Sequence, residues 1–467
     1  MSIVPLSHAT ATGIRTMIKS LVGKPMRYQI ARSWNLSTDE FWKYQGEQFR
    51  RIYSHARRRV KFYRDRSHEY PDLPVGDYHV LELLAALPVL KKQTVREHNE
   101  DFWWLPPLPI TSFHTTSGTS GTPLRIPGTI WERAFQQAIR EDYWQRLTGR
   151  KRPRVLNLTG FLTPTPSDKD LYWVDRLTGD VYLSIYALKS EHREQIRELL
   201  QSLDPQLIYG YASAVHQLAM LFPEGTGAAR DRRVAIVTSE VLETHWRHDI
   251  EALLCRRVYD FYGSQEASHW VMQCDHGQMH ISPLVGIVEI VDEENKPAPA
   301  GACGRVLITS LRRWSMPLVR YEIGDIAEST GYDPDCSCGL RWPTIGKIQG
   351  RSEDLIRTRD GRRIALLSYH AMKDLSGVKE SQIVQTDYES FVCNMVLDEK
   401  APVDRDSIEE KVRSEIARRL QVPVKVSFRY LDTIPRGSNG KFKAVVVAFD
   451  PTSQDETHRM SEVSVSP

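Results

Sequence analysis

Apolar residues recur at spacings of three and four from residue 42 onward. Trp42, Phe49, Ile52, Tyr53, Ala56, Val60 and Tyr63 fall on one side of a helical wheel, and Ser37-x-x-Glu40 supplies a capping box before them. This pattern predicts a long helix packed along one face. Residues 1–36 are weakly patterned and predict a loosely docked lead. Leu87-Pro88-Val89-Leu90, Lys91-Lys92 and the proline-rich run at 105–109 predict irregular, ordered chain, and a helix follows at 131–147. From residue 154 short apolar runs at 155–158, 207–209, 234–237 and 258–262 alternate with helical segments at 191–203, 212–222 and 245–254. That alternation predicts α/β layers built on a parallel sheet.

After Ser282 strand patterns dominate, at 286–291, 305–310 and 318–323, and beyond residue 350 the style changes again. Asp360-Gly361 suits a type I′ hairpin turn. Ser407-x-x-Glu410 predicts a capped helix with Ile408, Val412, Ile416 and Leu420 on one face, followed by a strand at 422–430. The expected fold class is α/β: a large N-terminal layered domain over residues 1–350, with a β-rich part at about 282–348, and a small mobile α+β lid over 351–450. Residues 451–467 are polar and predict a disordered tail.

The chain has 467 residues and a net charge of +3, too small for a nucleic-acid footprint. Arg57-Arg58-Arg59 with Lys61 and Arg64 lies in a helical pattern and reads as a solvated face. No run reaches the ~18–20 apolar residues of a membrane span and the N-terminus lacks a signal-peptide core. The expected location is therefore the cytoplasm, with no membrane and no nucleic acid among the partners. Six cysteines make no disulfide framework in a chain of this length.

Chemistry concentrates in five stretches. Thr115-Thr116-Ser117-Gly118-Thr119-Ser120-Gly121-Thr122-Pro123 holds six hydroxyl side chains, two glycines and no charge. Such a run can present backbone N–H groups and hydroxyls to a phosphate, though a solvated linker has the same composition. It is not a Walker A loop, because Gly121 is followed by Thr-Pro-Leu. Tyr262-Gly263-Ser264-Gln265-Glu266 puts a ring and a carboxylate at a strand end, where open α/β sheets bind ligands. Tyr321-Glu322-Ile323-Gly324-Asp325 offers a carboxylate to ribose hydroxyls. Gly350-Arg351-Ser352-Glu353-Asp354 sits where a hinge is needed, and Gly437-Ser438-Asn439-Gly440-Lys441 exposes one cation on a loop. Separately, Cys274, His280, Cys336 and Cys338 offer three thiolates and an imidazole, the donors of a closed tetrahedral zinc site, with His276 as an alternative ligand. Their spacing is not the usual one, and a core thiol with surface histidines is the competing reading. Cys255, Cys303 and Cys393 read as buried small hydrophobes.

In this order and at these separations the stretches resemble the adenylate-forming superfamily, and within it the phenylacetate-coenzyme A ligase branch with its CapK-like proteins. The likeness runs over roughly residues 80–446. It implies that Ser117, Gly118, Thr119, Ser120, Gly121 and Thr122 hold the ATP phosphates, and that Ser239, Glu240, Tyr262 and Gly263 hold the adenine and its acyl neighbour. Glu266 would bind magnesium, Asp325 the ribose, Arg351 the ribose and phosphate side, and Lys441 the reacting carboxylate and α-phosphate, with Glu353 at the hinge. The acid pocket would draw on Tyr209, Tyr211, Ala212, Thr238 and Phe261, which suit an aromatic acid and leave fatty or amino-acid-derived acids open. Members of the branch carry a similar Cys, His, Cys-x-Cys set, which favours zinc. Two departures stand out: Leu124 follows Pro123 where a lysine is frequent, and Gln265 precedes Glu266 where a hydroxyl residue is usual.

The implied activity is AMP-forming activation of a small carboxylic acid by ATP and magnesium, then thioester formation with coenzyme A. Transfer to a carrier-protein thiol, an amine or a hydroxyl, and AMP transfer to a cofactor hydroxyl, are alternatives. A zinc-stabilised nucleotide-binding protein without chemistry is the reading from another class. Oligomeric state is open, with a homodimer one candidate.

Overall fold

A computed structural model describes residues 26–105, 111–115, 124–159, 171–175, 179–264, 266, 269–332, 336–351, 356–359, 363–364, 378–397, 403–420, 422–436 and 442–449. The chain divides after Ile348 into two compact units.

In the first unit the capping box forms as the sequence requires. Ser37 Oγ accepts the Glu40 amide at 3.2 Å and the Glu40 carboxylate accepts the Ser37 amide at 2.9 Å, opening the helix Thr38–Arg59. Phe41, not Trp42, is buried, together with Phe49, Ile52, Tyr53 and Ala56. The apolar periodicity runs past the helix end: Val60 is extended (φ −97°, ψ 123°) and Tyr63 belongs to a second short helix, Lys61–Asp65. The lead is docked where described, because the Trp342 indole donates to the Ser33 carbonyl at 2.9 Å and the Trp34 indole to Asp142 at 2.6 Å. The stretch expected to be irregular after residue 87 contains a helix, Lys92–Glu97, and a 3-10 turn, Asn99–Phe102. Leu90 is tied by backbone bonds of 2.9 Å to Arg320 and Glu322, and burial of Val95 and Phe102 fixes the rest.

The predicted parallel sheet is the centre of a nine-stranded one. Its parallel strands run in the order Arg257–Gly263, Val234–Thr238, Leu207–Tyr211, Val155–Leu158, Val181–Leu183. Antiparallel strands Trp270–Gln273, Met279–Ile281 and Thr344–Ile345 extend one side and Tyr172–Val174 the other. Helices Arg193–Leu203, Ala212–Met220 and Thr244–Leu253 make the crossovers. Strand order reverses at Val155–Leu158, so a ligand crevice is expected at the carboxyl edge there. Gly210 lies beside Leu158 in the register, and a Cβ on it would stand 2.5 Å from the Leu158 Cβ and 2.8 Å from its carbonyl oxygen. Gly210→Ala is expected to cost about 1–3 kcal/mol in urea unfolding, the usual penalty of overpacking; an unchanged midpoint would contradict this close approach.

A second sheet of this unit pairs Gly286–Val291, Cys303–Ser310 and Tyr321–Glu328 antiparallel. The last strand starts three residues later than the apolar run suggests. Arg320 adopts a left-handed backbone (φ 48°) and buries its guanidinium against Glu289 at 3.0 Å, so the chain turns before it can pair. Cys255 and Cys393 are buried, whereas Cys303 is exposed at the start of its strand, correcting the expectation for that residue.

The second unit is a four-stranded mixed sheet ordered Lys425–Tyr430, Ser390–Leu397, Val378–Asp387, Val445–Val447. The helix Arg405–Leu420 packs Ile408, Val412, Ile416 and Leu420 onto Ile383, Phe391, Cys393 and Met395. It starts earlier than Ser407, because Asp404 Oδ1 accepts the Ser407 amide at 3.2 Å and takes the capping role. Ile356–Arg357 pairs with Arg363–Ile364, while the turn at 360–362 and the tail lie outside the described residues. Among the described residues no helix is long and apolar enough to cross a membrane.

Candidate active site and metal centre

The two carboxylates singled out from the sequence are buried, at 6 % exposure for Glu266 and 8 % for Asp325. Each is held by a tyrosine from the other's segment. Tyr262, on the strand leading to Glu266, donates its hydroxyl to Asp325 at 2.8 Å, and Tyr321, on the strand of Asp325, donates to Glu266 at 3.2 Å. This reciprocal exchange joins the end of the parallel sheet to the second sheet of the same unit. The Tyr262 ring also packs 4.5 Å from the ring of His269, which is fully buried; burial drives the imidazole pKa down to about 3 and keeps it neutral. Arg313 is buried nearby, with Glu132 and Glu266 as the carboxylates that stabilise its charge. His269 and Arg313 carry no motif of their own, and only contact reveals them, as it reveals the reach of Tyr321 to Glu266.

Ser239 follows the strand Val234–Thr238 with a left-handed backbone (φ 68°), and the next residue, Glu240, accepts the Ser213 amide at 2.8 Å at the start of helix Ala212–Met220. A carboxylate at a helix N-terminus is favoured by the unpaired amides there. Tyr211, Thr238 and Phe261 stand side by side in the register, and Thr238 opposes the rise in pKa that burial imposes on the Tyr209 hydroxyl. Tyr209 packs 5.5 Å from Trp144, Phe261 edge-on to Trp270 at 5.0 Å, and Ala212 is fully buried where the helix begins. The residues expected to line an acid pocket thus share the carboxyl edge of the parallel strands.

Residues 116–123 lie outside the described residues, between antiparallel strands Thr111–Thr115 and Arg125–Thr129. Glu353 and Lys441 also lie outside them. Gly350 takes φ +115° and Arg351 ends the strand Ile348–Arg351.

Cys274, His280, Cys336 and Cys338 come together, with their ligand atoms all within 4.8 Å of one another. The Cys274 and Cys336 sulfurs are 3.6 Å apart, and Cys338 Sγ is 3.4 Å from His280 Nε2. Ligands about 2.3 Å from a tetrahedral zinc stand about 3.8 Å from one another, close to these separations. His280 Nδ1 lies 3.0 Å from the Trp342 carbonyl, so its N–H can donate there and leave Nε2 as the metal-facing lone pair. The Gly277 amide bonds back to the Cys274 carbonyl at 2.9 Å and the Gly339 amide to that of Cys336 at 3.1 Å, closing two tight turns around the thiols. His276 is exposed and outside the cluster.

Glu243, at the N-terminus of helix Thr244–Leu253, is buried and leaves Oε2 without a hydrogen bond. Burial raises its carboxyl from near 4.5 to about 7, with Lys347 opposing. The folded protein therefore keeps a proton that the unfolded chain gives up, so this group's contribution is most favourable below the unfolded value and is lost as pH rises to 7. Across that window the loss is expected to be about 3 kcal/mol, and Glu243→Gln should remove it. Urea unfolding at pH 5 and pH 7.5 checks the difference; parallel changes in both proteins would reject it.

Residues 356–448 match the family model of the CapK C-terminal domain. Protein CapK of Staphylococcus aureus is 23% identical over 60% of this chain and 61% of its own length, so the match spans about three fifths of that relative. A phenylacetate-coenzyme A ligase of Pseudomonas putida is 26% identical over 69% of this chain and 73% of its own. Among solved structures, 2-hydroxyisobutyryl-CoA ligase in the postadenylation state, complexed with an acyl-AMP, superposes with a TM-score of 0.68 at 19% identity, covering 93% of this chain and 94% of that one. The chain thus has the fold of 2-hydroxyisobutyryl-CoA ligase, is similar in sequence to CapK and the phenylacetate-coenzyme A ligases, and matches the CapK C-terminal domain model over residues 356–448.

Proposed function

We propose that the protein activates a carboxylic acid: the carboxylate attacks the α-phosphorus of ATP, pyrophosphate leaves, and the acyl-adenylate is then attacked by the thiol of coenzyme A, releasing AMP. The observation that carries this reading is the reciprocal Tyr262–Asp325 and Tyr321–Glu266 pairing beside the acid-facing strand ends. It fixes two acidic groups at the edge where open α/β sheets bind ligands. Asp325 would accept the ribose hydroxyls, and Glu266 would hold magnesium, which supplies charge neutralisation on the phosphates. The hydroxyl-rich run at 117–122 would receive the β- and γ-phosphates, and residues 351–450 act as the lid that brings Lys441 to the reacting oxygens. Cys274, His280, Cys336 and Cys338 would hold a structural zinc, since four protein ligands leave no position for a reacting water.

ATP–pyrophosphate exchange across a panel of acids tests the first step, and product mass with coenzyme A present tests the second. Exchange with none of the acids would remove the reading. A second reading passes the acyl-adenylate to a carrier-protein thiol, an amine or a hydroxyl. Exchange without a coenzyme A product would favour it.

A further inference from the structure

Two polar groups on the acid-facing side of the sheet are buried without use by the scheme above. Asn157 is 5 % exposed, and its Nδ2 donates no hydrogen bond. Arg140, on the helix Ile130–Thr148, buries its Nε without a partner. Its remaining interactions are a hydrogen bond from NH2 to Gln137 and a position over the Trp144 ring, 5.1 Å from the centroid. The two groups serve one surface. Asn157 lies in register between Tyr182 on one neighbouring strand and Tyr209 on the other, so the three side chains share a face. The Arg140 charge acts on both tyrosine hydroxyls, opposing the rise that burial imposes on each, and Trp144 packs against Tyr209. The acidic neighbours of that row, Asp175 and Asp180, act on Tyr182, yet among the described residues no carboxylate forms an ion pair with Arg140.

The Nε–H of a half-buried guanidinium and a buried amide N–H, each without an acceptor beside aromatic rings, lose more than they gain unless something accepts from them. Plain hydrocarbon acids would leave both as they are. A planar carboxylate meets the fork of an arginine through two parallel hydrogen bonds, and aromatic walls raise the strength of that pairing by excluding water.

We propose that Arg140, together with Asn157, recognises a second acidic group at the far end of the substrate, so that the acid activated here is dicarboxylic in class rather than an unsubstituted aryl or alkyl acid. This rests on the acid-activation reading and names the substrate class of the same site. Sites built to hydrogen-bond a substrate group reject analogues lacking it far more strongly than apolar pockets reject a size change, by up to ~10⁴–10⁵-fold.

The test is ATP–pyrophosphate exchange by the full chain with matched pairs of acids: benzoate with terephthalate, butyrate with succinate, and hexanoate with adipate. The wild-type protein is expected to prefer the diacid of at least one pair by about 10²-fold or more in kcat/KM. Arg140→Leu should reduce that preference at least tenfold, mainly through KM, and Arg140→Lys should keep part of it, retaining charge without the fork. Urea midpoints establish that each variant is folded, and Arg140→Lys carries the comparison should the leucine variant not fold. Exchange confined to the monoacids, or a diacid preference undiminished from wild type in the folded Arg140→Leu and Arg140→Lys proteins, overturns the proposal while leaving acid activation standing. Exchange with no acid at all overturns both.

Discussion

Lys441→Ala is expected to slow pyrophosphate release by about 10²–10³-fold, the loss seen when one preorganised electrostatic stabiliser is removed. The reason lies in the charges that the proposed reaction must bring together. A carboxylate has to reach the α-phosphorus of a nucleotide that already carries several negative charges, and little covalent help is available from the protein. Rate must come from holding the two anions in line and offsetting their repulsion. On this reading magnesium at Glu266 covers the phosphate tail, whereas the attacking carboxylate and the α-phosphate oxygens need a separate cation. A lysine on a Gly/Ser/Asn loop can supply it as a flexible point charge. The thiol step has no such meeting of anions at phosphorus, so hydrolysis or thiolysis of supplied acyl-adenylate should suffer less than its formation. Stopped reactions with labelled ATP measure the first step directly, and wild-type pyrophosphate release from the variant would remove Lys441 from the mechanism.

The parallel sheet was legible in the sequence because its strands are buried on both faces and read as short continuous apolar runs. Val155–Leu158 and Val234–Thr238 are buried throughout. Motif residues at strand ends were legible for a related reason: turn chemistry and a carboxylate after an apolar run mark a sheet edge. Pairings between distant segments were not legible. Nothing local says that Tyr321 reaches Glu266, 55 residues away in sequence, or that Asn157 lies between Tyr182 and Tyr209. Helix boundaries failed where two signals competed, as at Asp404, whose side chain caps the helix before Ser407 can. Arg320 shows the same limit in a strand. Its buried ion pair with Glu289 imposes a left-handed turn inside an apolar run that, read alone, continues as strand. Periodicity reports which residues prefer burial, and long-range partners decide how the chain delivers them.

Cys336→Ser is expected to lower bound zinc from one per chain to none and to destabilise the first unit by about 4–8 kcal/mol. That is less than the ~10–16 kcal/mol associated with zinc in peptides that are unfolded without it. The smaller figure follows from the surroundings. His280 is already fixed by strand pairing with Met272 and Thr344 and by its contact with the Trp342 carbonyl, so much of the site exists before a metal arrives. A metal held there would relieve crowding among three sulfurs and tie the loop at 336–342 to the edge of the large sheet. The tie has functional reach, because His280 pairs with the strand Trp270–Gln273, which pairs with Arg257–Gly263, the strand that aims Tyr262 at Asp325. Zinc loss should therefore raise KM for ATP at denaturant concentrations too low to unfold the protein, while His276→Ala, on an exposed residue outside the cluster, should alter neither metal content nor stability. Metal analysis and urea unfolding of the three proteins decide the matter: a wild-type chain without zinc, or a Cys336 variant that keeps both its metal and its midpoint, would show that the four side chains meet for another reason.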